Sequence, residues 1–295
     1  MTHRKILVVV LWMTGALISF SATAIAVRGL SAAFSVAETL AFRNAAGIAI
    51  LAALALARPS LRPDIAPRRI PLHLARNVVH FAATYAWTLG VTLLPLATVF
   101  ALEFTTPAWV ALLAVLLLRE TMTTPRLVAI VLGFLGVLVI QRPGLATFEA
   151  SSLVVLFSAL GFALTAIATK KLVATESTFA ILFMMNLMQL PMNLVLTGEA
   201  FWLKLGPEHL SPLAVICVSG LTSHWCLTNA YRNGDAIMVV PLDFLRIPLI
   251  ALVGWHLYGE ALDPFVLAGS LVIIAGILWN LRAEGRAAPA PLRAA

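Results

Sequence analysis

Charge is what this sequence lacks. Only 11 % of its 295 residues are Asp, Glu, Lys or Arg, while 61 % are apolar; soluble domains carry about 25 % charged residues. Thirty-three charges do not keep a water-soluble globule of this size dispersed, which excludes a soluble enzyme, and the apolar fraction excludes a disordered chain. Cysteine is nearly absent too. Cys217 and Cys226 share one apolar segment, and on one helix their separation is about 13 Å, too far for a bridge. A disulfide-stapled secreted domain is thereby excluded. Also missing are G-x-S-x-G, Walker A, H-E-x-x-H and C-x-x-C motifs, so no catalytic residue, metal site or cofactor is expected, and nothing in the chain would use ATP. There is no basic stripe on a folded module of its own, which argues against nucleic acid as a partner.

What is there is a series of apolar segments about 20 residues long, the length that crosses a bilayer core. They lie near 6–27, 33–56, 73–94, 97–118, 126–141, 150–169, 178–197, 212–231, 236–257 and 264–281, with Pro and Gly in the gaps. The first follows His3-Arg4-Lys5 and resembles a signal peptide, with Ala22-Thr23-Ala24-Ile25-Ala26 as a cleavage site. Its apolar stretch is long for that role, and the repeat described next needs it, so it is read as a span. With the N-terminus in the cytoplasm, fourteen Lys and Arg fall on the cytoplasmic side and only Arg28, Arg142 and Lys204 on the other. That bias places both termini inside and makes the number of crossings even.

The two halves resemble each other. Thr23-Ala24-Ile25-Ala26 recurs as Thr165-Ala166-Ile167-Ala168, and in this register Phe20 matches Phe162 and Asn44 matches Asn186. Further on, Thr88 aligns with Thr228, Glu103 with Asp243, Phe104 with Phe244, Glu120 with Glu260 and Gly136 with Gly276. An acid aligned with an acid inside two apolar spans is the informative pair. Five spans per half is an odd number, so the second half enters the membrane from the opposite side. The expected fold is an all-α polytopic membrane protein of ten transmembrane helices in two inverted-topology repeats of five, over 1–143 and 149–282. Residues 283–295, rich in Ala, Pro and Arg, are read as a disordered cytoplasmic tail. Inverted repeats are a recurring plan of secondary transporters, with the substrate near the midplane at the repeat interface.

Twice the chain shows an apolar helix, an acidic residue at its exit, a short polar turn and a Gly-bearing helix, as LLLRETMTTPRLVAIVLGFLGVLVI and WHLYGEALDPFVLAGSLVIIAGILW. With the five-plus-five layout, these resemble the drug/metabolite transporter superfamily, EamA type. Within it the chain is similar to bacterial exporters of aromatic amino acids. PLDFLRIP, residues 241–248, also resembles carriers for S-adenosylmethionine uptake. The resemblance implies a basket of helices around a central cavity lined mainly by spans 1, 3, 4, 6, 8 and 9, with 5 and 10 at the periphery.

Ionisable side chains in hydrocarbon are costly, so each is a functional candidate. They are Glu38, Arg43, Arg76, His80, Glu103, His224, Asp243 and Arg246. Asp243 and Arg246 are three apart on one helix face and can pair. Pro241 and Pro248 flank them, and Pro107 follows Glu103; these three prolines are the expected helix breaks of spans 9 and 4. One reading is a polar centre that holds a zwitterion, carboxylate to Arg246 and amine to an acid; the other is a structural ion pair locking helices together. Arg76, His80, Thr84 and Trp87 share a face of span 3, and His224, Thr228 and Tyr231 share one of span 8. In the repeat register Thr84 matches His224, which points to a polar cavity between the halves. The expected substrate-binding set is therefore His80, Thr84, Trp87, Glu103, His224, Thr228, Asp243 and Arg246. Tyr231, near a span end, reads as an interfacial tyrosine, and Arg76 as snorkelling to headgroups. Glu38 and Arg43 read as a tie to a neighbouring helix.

The function expected is a secondary transporter of the bacterial inner membrane that exports amino acids, aromatic or broad-range, or related metabolites by alternating access. Its partners are that small solute, the lipid bilayer and, as driving ion, protons taken up by Glu103, Asp243, His80 or His224. Uptake of S-adenosylmethionine or another metabolite is the alternative. A membrane-embedded enzyme acting on a lipid-borne substrate, with Asp243 and a histidine as acid and base, is the reading of a different class.

Overall fold

The computed structural model describes residues 3–61, 67–94, 99, 102–141, 150–246, 248–249 and 264–287. In chain order the helices are α1 (His3–Leu30), α2 (Val36–Ala57), α3 (Ile70–Leu93), α4 (Thr106–Leu113), α5 (Thr124–Gln141), α6 (Ala150–Leu172), α7 (Thr178–Leu194), α8 (Pro207–Asn233), α9 (Ala236–Asp243) and α10 (Pro264–Ala287). A π-turn over Ala114–Leu118 extends α4. Local signals set several starts. Ser35 and Glu38 form a reciprocal capping box on α2, and proline stands in the first two positions of α3, α4 and α8, where the missing N–H has no partner in any case.

By length and composition five segments can cross a membrane, namely Arg4–Val27, Val36–Ala57, Ser151–Leu172, Pro207–Asn233 and Pro264–Ala283. Shorter apolar helices cover Thr106–Leu118, Thr124–Ile140 and Thr178–Leu194. α3 is long enough, at 24 residues, but carries His73, Arg76, Asn77 and His80. Spans 4 and 9, the two expected to break, are both interrupted, by turns at Phe104–Thr105 and Phe244–Leu245. Helix α10 runs to Ala287, into the stretch read as tail. Residues 288–295 and Glu260 lie outside the described residues.

The helices pair across the two halves. α1 packs on α8, α3 on α6, α2 on α7, α4 on α9 and α5 on α10. Exchanging the halves turns the α1–α8 pair into α6–α3 and leaves the other three pairs unchanged, as a two-fold axis requires. Odd repeats of five put that axis in the membrane plane. Near it the repeat-equivalent rings of Phe104 and Phe244 stack, 5.6 Å between centroids and 18° between planes. Both are fully buried. Helices α2 and α7 sit at one end of the basket against α3 and α8; α4 and α9 sit at the other, against α6 and α1, with α5 and α10 outside them.

The outer pair crosses through glycine. A Cβ at Gly136 would stand 2.6 Å from the Gly269 carbonyl oxygen, and one at Gly276 would stand 2.9 Å from Leu132 Cβ. Such small-residue crossings let backbones approach in lipid, where packing replaces the hydrophobic drive. Because the obstacle is backbone, Gly136→Leu must push the helices apart, at a cost of about 1–3 kcal/mol. The purified variant should unfold at a lower temperature but keep wild-type flux per folded molecule, since neither helix lines the cavity described below. An unchanged unfolding midpoint would contradict the crossing.

Candidate substrate cavity

The interruptions of spans 4 and 9 occupy equivalent places. Glu103 ends one half-helix, Phe104 and Thr105 form a turn, and α4 restarts at Thr106. In the second repeat α9 ends at Asp243, and Phe244 and Leu245 form the turn. Pro107 opens the restarted helix and Pro241 lies in the last turn of α9, whose carbonyl accepts from Phe244 N at 3.3 Å. Pro248 falls among the helical residues after the second turn. Irregular backbone at this depth is tolerated where it is buried in protein or faces a cavity, and here it delivers an acid from each repeat to the same place.

Those two acids share one cation. Arg246 donates from Nη1 to Glu103 Oε1 at 2.7 Å and from Nη2 to Asp243 Oδ2 at 2.6 Å. The other Glu103 oxygen accepts from the Trp87 indole at 2.7 Å. The guanidinium also lies 5.5 Å from the Phe20 ring and 5.6 Å from the Phe104 ring, within cation–π reach. One positive charge against two carboxylates leaves this cluster with a net negative charge. Glu103 is nearly enclosed, whereas Asp243 keeps 24 % of its side chain exposed to the cavity.

The cavity as a whole, about 160 Å³, lies between the repeats and takes residues from the first four helices of each, except α7. His80 and His224 meet edge to face with centroids 4.9 Å apart. A polar chain fixes the first of them. Arg76 Nη1 donates to Asn77 Oδ1 at 3.0 Å, Gln189 Nε2 donates to the same oxygen at 3.2 Å, and Gln189 Nε2 meets His80 Nδ1 at 2.9 Å. Since the amide nitrogen has no lone pair to accept with, His80 Nδ1 is the acceptor and the neutral ring carries its proton on Nε2. Phe20 packs on His224 and its repeat counterpart Phe162 on His80, at 5.6 and 6.2 Å between centroids.

All eight residues singled out as substrate-binding line this cavity, as does Pro107; Pro241 and Pro248 do not. Four details differ from expectation. Arg246 is held by two protein carboxylates, so the seat foreseen there for a substrate carboxylate is already occupied. Arg76 does not snorkel. It is 2 % exposed and donates from Nε to Thr169 Oγ1 at 2.7 Å. Tyr231, read as interfacial, is instead buried in the cavity lining. Glu38 pairs with Lys204 at 2.7 Å near the start of α2, while Arg43, taken as its companion, lines the cavity instead. Arg43 had a signal, being a span charge without an acid at three or four positions. Asn77 and Gln189 had none, as neutral polar residues among many. Among the described residues no group of three or more His, Cys, Asp or Glu could hold a metal ion.

Comparison with known proteins bears on what such a cavity does. The model of the EamA-like transporter family matches twice, over residues 7–142 and 150–282. The S-adenosylmethionine uptake transporter of Rickettsia conorii is 28 % identical, over 73 % of this chain and 73 % of that protein. The riboflavin transporter of Brucella anthropi is 30 % identical, over 72 % of this chain and 77 % of its own. The pseudopaline exporter CntI of Pseudomonas aeruginosa is 25 % identical, over 88 % and 91 %. A solved crystal structure superposes with a TM-score of 0.77 at 15 % identity, over 94 % of this chain and 98 % of that one, a likeness of fold. With a match over each repeat, in a fold of two inverted halves, the chain belongs to the EamA-like transporter family.

Proposed function

We propose that the chain is a secondary carrier exporting amino acids, or metabolites built on an amino acid, across the bacterial inner membrane by alternating access, both termini cytoplasmic. The observation that carries this reading is the cluster where the two broken spans meet, in which Glu103 and Asp243 share Arg246 at the wall of the cavity. Its surplus negative charge suits a substrate ammonium, with Asp243 the acid within reach. A volume of about 160 Å³ favours a small solute, since pockets for drug-sized ligands run from about 300 Å³. Protons are the candidate driving ion, taken up by Glu103, Asp243, His80 or His224.

The names of the Rickettsia relatives favour a second reading, S-adenosylmethionine uptake, whose sulfonium and amino groups would meet the same acids. The membrane-enzyme alternative falls, because the family is one of transporters. The test is counterflow in proteoliposomes preloaded with unlabelled aromatic amino acids, aliphatic amino acids, S-adenosylmethionine or riboflavin, following trace label. Saturable counterflow is expected with amino acids. Silence with all of them, from folded protein, would remove the amino-acid reading, and S-adenosylmethionine alone would install the second. Flux indifferent to an imposed pH gradient would remove the proton.

A further inference from the structure

We infer that Arg43 and Arg76, with the His80–His224 pair in the same cavity lining, form a seat for an oxyanion, the carboxylate or phosphate group of the transported solute. This rests on the cavity being the substrate cavity. Among the described residues three guanidiniums and two carboxylates line it, and both carboxylates are on Arg246. Arg43 is 6 % exposed and Arg76 is 2 % exposed. Among the described residues Arg76 is held only by neutral groups, the Thr169 hydroxyl, the Asn77 amide oxygen and, at 3.9 Å, the Met185 sulfur. Arg43 is poorer still, with Nη2 buried and bonded to nothing among the described residues. Its nearest acid in sequence, Glu38, is taken by Lys204 and the α2 cap.

A buried charge without a counter-ion is among the costlier things a protein can hold, in lipid above all. Two of them on one cavity suggest that the counter-ion arrives with the substrate. The chain also makes room for Arg43. A Cβ at Gly220 would stand 2.6 Å from Arg43 Cδ, so the glycine lets the side chain lie across α8, one turn before His224. The seat stands toward the α2–α7 end of the basket, and the acidic cluster is at the α4–α9 end. A solute with an anionic and a cationic group would span the two. Arginine's planar fork suits both carboxylate and phosphate.

The sign of a stability change separates this from a structural role. The probes are sodium acetate and sodium phosphate against sodium chloride at matched ionic strength, added to purified wild type, Arg43→Met, Arg43→Lys and, as a control outside the cavity, Arg119→Gln. Acetate or phosphate should raise the unfolding midpoint of wild type and Arg119→Gln by about 2–4 °C, and the stronger anion names the group. Arg43→Met should lose that rise while unfolding, without anion, at or above the wild-type temperature. Arg43→Lys keeps the charge without the fork and should need about tenfold more anion.

No rise in wild type with either anion overturns the seat, as does a rise that survives in Arg43→Met. An Arg43→Met that unfolds early or does not fold, with an unaltered anion response in Arg43→Lys, marks a structural arginine and overturns it as well. The two readings fail separately. Counterflow of amino acids without an anion response leaves the carrier and removes the seat; an anion response with silent counterflow leaves the seat and removes the amino-acid assignment.

Discussion

Arg246→Leu should reduce counterflow at least a hundredfold, to background, and destabilise the folded protein. Among the described residues the guanidinium is the sole cation bonded to Glu103 and Asp243, at 2.7 and 2.6 Å. Without it, two carboxylates from opposite repeats face one another where water is scarce, and removing one partner of a buried ionic cluster costs about 3–5 kcal/mol. Loss of flux alone would not separate a broken fold from a broken site, so the neutralised background decides. In Glu103→Gln/Asp243→Asn the arginine has nothing to compensate, and adding Arg246→Leu there should restore much of the stability but none of the transport. Arg246→Lys should fall between, because an ammonium cannot fork to two acids. Unfolding midpoints and initial counterflow rates on the same preparations give both readouts. Wild-type flux in Arg246→Leu would remove the cluster from the mechanism.

The pairing of Glu103 with Arg246 marks where sequence reasoning stops. Asp243 and Arg246 are three residues apart, and helical spacing alone puts them together. Glu103 lies 143 positions from its partner, and no periodicity reports a contact between helices. The repeat came close, by aligning Glu103 with Asp243 and Phe104 with Phe244, and inversion is what brings aligned residues to a common axis. Prolines foretold that spans 4 and 9 bend, but the turns fall at Phe104 and Phe244, beside the acids and not at the prolines themselves. The inward turn of Arg76 is hidden from the sequence for a physical reason. The residue lies in the second turn of α3, where a long cation usually reaches headgroups, and only packing against Thr169 and Met185 of the other repeat shows it turned inward. What periodicity and charge bias recover is order along the chain and the face of each helix. What they miss is which faces meet.

The face carrying the N-terminus is fastened across the repeats, and unfastening it should expose the cavity there. Glu120, from the first repeat, accepts from Ala236 N and Ile237 N at the start of α9, both at 3.0 Å. Next to it Arg126 pairs with Asp235 at 3.0 Å. Glu176, from the second repeat, accepts from Arg68 N at 2.7 Å and Arg69 N at 3.0 Å. Glu120 and Glu176 each grip backbone of the other half, and Arg126 pairs with a side chain of it, so rocking the halves apart on this side must break charged hydrogen bonds worth about 1.5–3 kcal/mol each. In Glu120→Ala/Glu176→Ala the open form should gain population at least tenfold. A cysteine replacing Leu227 in the cavity lining, with Cys217 and Cys226 changed to serine, would report it through its rate of reaction with an impermeant maleimide added on the N-terminal face. Labelling should be at least tenfold faster in the double variant. An unchanged rate would mean that these bonds stitch loops without governing access, and the barrier would then lie deeper, where Phe104 and Phe244 stack between the broken spans.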